Sequence, residues 1–187
     1  MDDVFETNNE ERAPTVWTIG HSTRALEDFI QLLSISEIAN LVDVRSYPGS
    51  RRYPQFNKVE LSRVLPRSGI DYYHFGKLGG RRTPLPDSRN TAWRNASFRA
   101  YADYMESEEF KQGIDQLLEL ARIGRTTIMC AEAVWWRCHR GLIADYLKAG
   151  GCEIIHIVDP ARSEPHPYTA AARIVDGRLS YEGLFSM

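Results

Sequence analysis

Within one short stretch the chain places Cys130, Glu132, Cys138, His139 and Arg140. Thiol, acid, base and cation stand together there, the groups that acid–base and nucleophilic chemistry draw on. Cys138 has Arg137, His139 and Arg140 around it at the expected start of a helix, a setting that lowers a thiol pKa. It reads as a nucleophile or redox thiol, or as a helix-start residue packed under a sheet. Cys130 closes an apolar run and reads first as core filling, because unpaired cysteine is often buried. Cys130 with Arg137 after it has the outline of a phosphate cradle. Glu132, Trp135 and Trp136 are poor material for a loop that must offer free amides. The spacing of Cys130, Cys138 and His139 matches no usual structural zinc pattern, so neither metal nor cofactor is expected.

Other candidates lie farther off in the chain. Glu132 and Asp43 are the carboxylates suited to general acid or base work, or else they anchor arginines, the commoner fate of a buried acid. His21 and Ser22 follow Gly20, where a turn brings backbone amides and an imidazole near a ligand; the alternative is a ring bound to a carbonyl beside a helix cap. Trp135 and Trp136 cannot both be buried easily, and Trp136 is taken as a platform for a base or as packing for a loop. His156, within an apolar run, reads as a satisfied core histidine, and His166, between Pro165 and Pro167, as a surface residue.

Charge adds a ligand class. The formal net charge is −2, yet residues 45–99 carry +9 and the remainder −11. The cations of that segment are nearly all arginine, the side chain fitted to bidentate phosphate or carboxylate contacts. Tyr47, Tyr53, Phe56, Tyr72, Tyr73, Phe75, Trp93 and Phe98 are interleaved with them, which suits a phosphorylated or nucleic-acid ligand. Arg45, Arg81, Arg82 and Arg140 are the expected phosphate holders.

These groups need elements to position them. The 187 residues, 43% hydrophobic and 26% charged, are ordinary globular values. Residues 1–14 read as a loose tail and 15–187 as a single α/β domain with an arginine-rich loop region over 45–99. Strands are predicted at 15–19, 39–44, 70–74, 126–130 and 152–158. Helices are predicted at 24–35 (capped by Ser22 or Thr23), from Asn57 to Pro66 (a capping box with Glu60), from Ser97, after Ser107, and over 138–148. Residues 76–95, with Gly79, Gly80, Pro84 and Pro86, form a long loop. Asp176-Gly177 between two short runs signals a hairpin. The alternation gives a three-layer α-β-α arrangement with a mostly parallel sheet of about five strands, plus a C-terminal hairpin. In such sheets ligands sit beyond the carboxyl ends of the strands. His21, Ser22, Asp43, Arg45, His74, Cys130, Glu132 and Asp159 all fall at those ends.

Six separated stretches then resemble, in order, a known family. They are Thr18-Ile19-Gly20-His21-Ser22, Leu41-Val42-Asp43-Val44-Arg45 with Pro48, Tyr53-Pro54-Gln55-Phe56, Leu78-Gly79-Gly80, Cys130-Ala131-Glu132 and Cys138-His139-Arg140. Together they look like the family catalogued as domain of unknown function 488, over about residues 16–160. The resemblance implies an α/β fold, a cytoplasmic protein and no settled activity. It carries over His21, Ser22, Asp43, Arg45, Gly79, Gly80, Cys130, Glu132, Cys138, His139 and Arg140 as motif residues. Tryptophans 135 and 136 depart from the small or acidic residues usual there.

The expected function is an enzyme acting on a phosphate-containing, nucleotide or nucleic-acid-derived substrate. It works by hydrolysis or glycosidic-bond cleavage through carboxylate acid/base chemistry. The alternative is a non-catalytic nucleic-acid or phosphate-binding module. No apolar run approaches a membrane span and the N-terminus lacks a signal-peptide pattern, so a cytoplasmic protein without membrane partners is expected. Oligomeric state is left open.

Overall fold

The computed structural model describes residues 13–183. The expected tail falls almost wholly outside the described residues. Five parallel strands, β1 (Thr15–Gly20), β2 (Asn40–Asp43), β3 (Asp71–His74), β4 (Thr126–Cys130) and β5 (Glu153–Asp159), join one antiparallel strand, β6 (Arg162–Pro165), in the order β3-β2-β4-β1-β5-β6. Periodicity missed β6. Its Arg-Ser-Glu-Pro sequence lacks β-branched or aromatic residues, and it is held as an edge strand, where proline is tolerated. A separate hairpin pairs β7 (Arg173–Val175) with β8 (Arg178–Ser180), and Asp176 and Gly177 both take the positive φ that a tight hairpin turn needs.

Helices cover both faces of the sheet. α1 (Leu26–Ile35) and α2 (Lys58–Val64) lie on one face, where Phe29, Leu33, Leu61 and Leu65 pack with Ile19, Leu41 and Met129. α3 (Ala96–Tyr104), α4 (Glu108–Ile123) and α5 (Arg140–Ala149) lie on the other, where Tyr101, Phe110, Leu117 and Ile143 pack with Val16, Val42 and Ile128. Alternate strand residues point to opposite faces, so every inner strand is apolar on both sides and its sequence runs without polar alternation. The chain leaves β1 toward the α1 face and leaves the neighbouring β4 toward the α5 face. That divergence is a topological switch point, and it opens the sheet at its carboxyl edge.

Capping follows the expectation at Ser107, whose side chain accepts from the Phe110 amide. It departs at two other places. α1 has Ala25 at its N-cap and no side-chain cap, because Ser22, held at φ 50°, sits three residues too early. Asn57 is the N-cap of α2, but its carboxamide oxygen accepts from the Ser50 amide and braces the preceding loop instead.

His166 is a correction. It is 2% exposed, not a surface residue, because it belongs to a buried chain of hydrogen bonds. Thr18 Oγ1 lies 2.7 Å from His156 Nδ1, His156 Nε2 lies 2.8 Å from His166 Nδ1, and His166 Nε2 lies 2.9 Å from Asp145 Oδ1. Asp145 on α5 also accepts from the Thr169 amide, the Thr169 hydroxyl and the Tyr181 hydroxyl. Trp135 stacks flat on His156, with ring centroids 4.6 Å apart. His156 is thus the satisfied core histidine its setting promised, and the network ties residues 166–181 to α5.

Candidate active site

A pocket of about 490 Å³ opens over the carboxyl ends of β2 and β4. Its wall is built from the loop after β2 (Arg45, Ser46, Tyr47, Gly49), the loop before α3 (Gly80, Arg81), the first turn of α3 (Ser97, Phe98) and the β4–α5 connection (Cys130, Ala131, Glu132, Arg137, Cys138, His139). Of the expected site residues, Arg45, Arg81, Gly80, Glu132, Cys138 and His139 line it.

The others support it from behind or lie away from it. Asp43 is fully buried, and its carboxylate accepts four hydrogen bonds: from the Arg45 amide, Nε and Nη2, and from the Tyr72 hydroxyl. It holds Arg45, as a buried acid usually does, and has no free edge for acid–base work. The same guanidinium donates to the Phe56 carbonyl and, through Nη1, to His21 Nε2 at 3.2 Å. His21 Nδ1 donates to the Ser22 carbonyl, and the ring lies stacked on Phe56. Burial and the Arg45 charge lower its pKa to about 4, so His21 is a neutral brace.

Arg140 is buried beneath the β4–α5 connection. It donates to the Cys130 sulfur (3.2 Å) and to the carbonyls of Glu132 and Ala133, and its Nε has no partner among the described residues. Gly20 makes room for this: a Cβ there would stand 1.8 Å from the Glu132 carbonyl oxygen and 2.6 Å from the Arg140 guanidinium. Arg82 turns away, donating to the Lys77 carbonyl and lying over the Tyr104 ring. Trp136 is 53% exposed and outside the pocket, while Trp135 is buried, which settles the pair as their bulk required. Gly79 adjoins Ser46.

The pocket floor carries a thiol beside an imidazole. Cys138 has extended backbone just before α5, whose first residue is Arg140. His139 Nε2 donates to the Val44 carbonyl at 2.9 Å. Nδ1 is therefore left as the acceptor, and it lies 3.5 Å from Cys138 Sγ. Burial pushes the His139 imidazolium down, so the ring is a neutral acceptor. A Cβ on Gly80 would sit 2.5 Å from His139 Nδ1, so the glycine lets the loop lie flat against the imidazole.

Cys130 and Cys138 line the pocket together, and each thiol shifts the other's proton affinity. Burial pushes Cys130 well above the ordinary thiol value. At Cys138 burial pushes the same way, but the neighbouring Cys130 thiol and the Arg140 charge outweigh it and leave the thiol below that value. The pair releases its first proton easily and its second with difficulty. Cys130 is core filling and pocket floor at once, 2% exposed with its sulfur on the lining.

Comparison with known families decides the relationship: the family described as domain of unknown function DUF488 matches residues 25–147. The chain belongs to the DUF488 family. The matched stretch takes in Asp43, Arg45, Gly79, Gly80, Cys130, Glu132, Cys138, His139 and Arg140, while His21 and Ser22 precede it. No curated protein and no solved structure matches the chain.

For this DUF488 protein the reading of residue types missed Ser46, Tyr47, Gly49, Ser97, Phe98 and Arg137 as lining. Arg137, next to Cys138, and Tyr47, among the interleaved aromatics, carried a signal; Ser97 and Gly49 carried none. Among the described residues no helix is long and apolar enough to cross a membrane.

Two buried, depressed histidines set an acid limit on the fold. His21 is lowered to about 4, by burial first and then by Arg45, and His156 to about 3, by burial first and then by His166. The unfolded chain protonates these rings near pH 6.5, and the native one only near their lowered values. Stability is therefore full above about pH 6.5 and falls progressively toward pH 4. Urea midpoints measured from pH 7.5 to 4.5 are expected to drop steadily below 6.5; a flat profile down to pH 5 would refute neutral burial of both rings.

Proposed function

We propose that this protein is an enzyme acting on a phosphate-bearing substrate of the nucleotide or nucleic-acid-derived kind, and that it works by covalent catalysis at Cys138. The observation that carries this reading is the Cys138–His139 pair, with its acceptor nitrogen set by the Val44 carbonyl, on the floor of a pocket walled by Arg45, Arg81 and Arg137. A thiol beside a fixed acceptor, just ahead of a helix start, is poised to lose its proton. The arginines offer the substrate's phosphate a charged anchor, and among the described residues Arg81 and Arg137 are in no ion pair that would neutralise them.

Cys138 gives its proton to His139 Nδ1 and attacks the electrophilic centre; the bond to the leaving group breaks and that group takes the proton from His139; water, deprotonated by Glu132, then attacks the adduct and expels the Cys138 thiolate. Glu132 is exposed on the pocket rim and forms no ion pair among the described residues, which leaves its carboxylate available for this step. Asp43 drops out of the acid/base role because its oxygens are taken. Incubating the protein with a panel of nucleotides and short oligonucleotides, with products read by mass spectrometry, tests the proposal. Glu132→Gln is expected to abolish turnover while ligand affinity and fold survive; retained turnover would remove Glu132 from the mechanism.

A second reading, a phosphate- or nucleic-acid-binding module without chemistry, is favoured by one observation. Arg81 lies over the Tyr47 ring at 5.4 Å and Arg52 over Tyr53 at 5.3 Å, two cation-on-aromatic shelves of the sort on which bases stack. Salt-sensitive binding of oligonucleotides with no product formed would support that reading over the enzyme.

A further inference from the structure

The nucleophile reading uses one sulfur of two. Cys130 ends β4 and Cys138 precedes α5; both cysteines line the same pocket, and each shifts the other's proton affinity. Arg140 is fixed below them by the Glu132 and Ala133 carbonyls and donates to Cys130 Sγ at 3.2 Å. A buried guanidinium against a neutral thiol forms a weak contact; against a thiolate it forms a charge-assisted one. The connection between the cysteines is largely exposed at Ala131, Glu132, Ala133, Trp136 and Arg137, so its backbone can yield more readily than strand or helix. The third cysteine, Cys152, lines no part of this pocket, and burial pushes its thiol up.

We propose that Cys130 and Cys138 form a reversible dithiol–disulfide couple that exchanges with small disulfides entering the pocket, with Cys138 the attacking sulfur and Cys130 the resolving one. The inference rests on the reading of Cys138 as a nucleophile and gives that sulfur a second class of substrate. In the first step the Cys138 thiolate attacks one sulfur of R–S–S–R, a Cys138–S–S–R bond forms, and R–S⁻ leaves. In the second, Cys130 gives its proton to that departing thiolate, attacks Cys138 Sγ, and expels the second R–S⁻, which takes a proton from water. The two protein thiols are oxidised by two electrons, and one small disulfide is reduced to two thiols. Attack is assigned to Cys138 because His139 Nδ1 faces its sulfur, whereas the Cys130 sulfur is held between the Arg140 guanidinium and the Glu132 carbonyl. The oxidised couple has no thiolate left, so the pocket's nucleophilic chemistry stops until a thiol reductant restores it.

The test uses the full-length protein, reduced, desalted and exposed to bis(2-hydroxyethyl) disulfide, with intact-mass and peptide mapping after alkylation. Wild type is expected to lose two alkylatable thiols, to yield a Cys130–Cys138 cross-linked peptide, to keep Cys152 free, and to recover with dithiothreitol. Cys130→Ser is expected to stop at a stable mixed disulfide on Cys138, and Cys138→Ser to accumulate neither product. A wild-type protein that stops at the mixed disulfide, or that bridges through Cys152, overturns the couple. Iodoacetamide kinetics separate the two readings. If Cys138 alkylates about tenfold faster than Cys152 at pH 7, as a lowered thiol should, and still forms no bridge, the couple fails alone. If it alkylates no faster, the nucleophile reading fails with it.

Discussion

Replacing Asp43 by Ala is expected to lower the unfolding free energy by about 3–5 kcal/mol, the cost of stranding a buried charge. The carboxylate is fully buried and carries three hydrogen bonds from Arg45 and one from Tyr72. Without it the Arg45 guanidinium, itself 8% exposed, keeps only the Phe56 carbonyl and the His21 ring. Burial, the Asp43 hydrogen bond and its charge act on that guanidinium together, and the net is a pKa above its ordinary value. Removing the acid leaves burial unopposed. Denaturant unfolding should show the loss as a lower midpoint with an unchanged slope. Tyr72→Phe, which removes one of four donors, should cost about 1 kcal/mol. Similar values for the two variants would mean that Asp43 does not carry the Arg45 anchor.

The second large effect concerns Cys138→Ser. Turnover of the proposed nucleotide-type substrate is expected to fall by on the order of 10³ or more in kcat/KM, with thermal stability close to wild type. The serine is nearly isosteric, so the helix start survives. A hydroxyl is a much weaker acid than a thiol, and His139, made neutral by burial, is too weak a base to ionise it. The acid limb of the wild-type rate should accordingly follow the first proton of the Cys130–Cys138 pair, below the ordinary thiol range. Serine activity within tenfold of wild type would rule out covalent catalysis at this position and leave Glu132 with water as the remaining chemistry.

Much of this architecture could be read from residue order. Thr15–Ile19, Leu41–Val44 and Thr126–Cys130 are apolar runs without alternation, and they became inner parallel strands covered on both faces. The stripe of Phe110, Ile114 and Leu117 became the buried side of α4. What escaped depends on distance in space. Arg162–Pro165 has no strand composition and is a strand only because β5 offers it an edge. His166 between prolines looks like a loop residue until Asp145, 21 positions earlier, is seen to hold its ring.

The site divides in the same way. Residue types and strand ends located Arg45, Glu132, Cys138 and His139, which line the pocket. They could not tell lining from support, because Asp43, His21 and Arg140 have the same polar character and differ only in who fills their hydrogen bonds. Nor could they show that His139 turns Nδ1 toward the thiol, since that follows from the Val44 carbonyl, 95 positions away.

The Asp145 network also bears on how the chain reaches its native state during synthesis. Asp145, on α5, is made before any of its partners, and its last hydrogen bond comes from Tyr181. Until that tyrosine leaves the ribosome, a carboxylate destined for full burial has too few donors, and the α5 face of the sheet cannot close over it. The pocket floor hangs from the same helix through Cys138 and Arg140. The geometry of the pocket floor is therefore among the last features to form, and a nascent chain stalled before Thr169 would display an incomplete cleft.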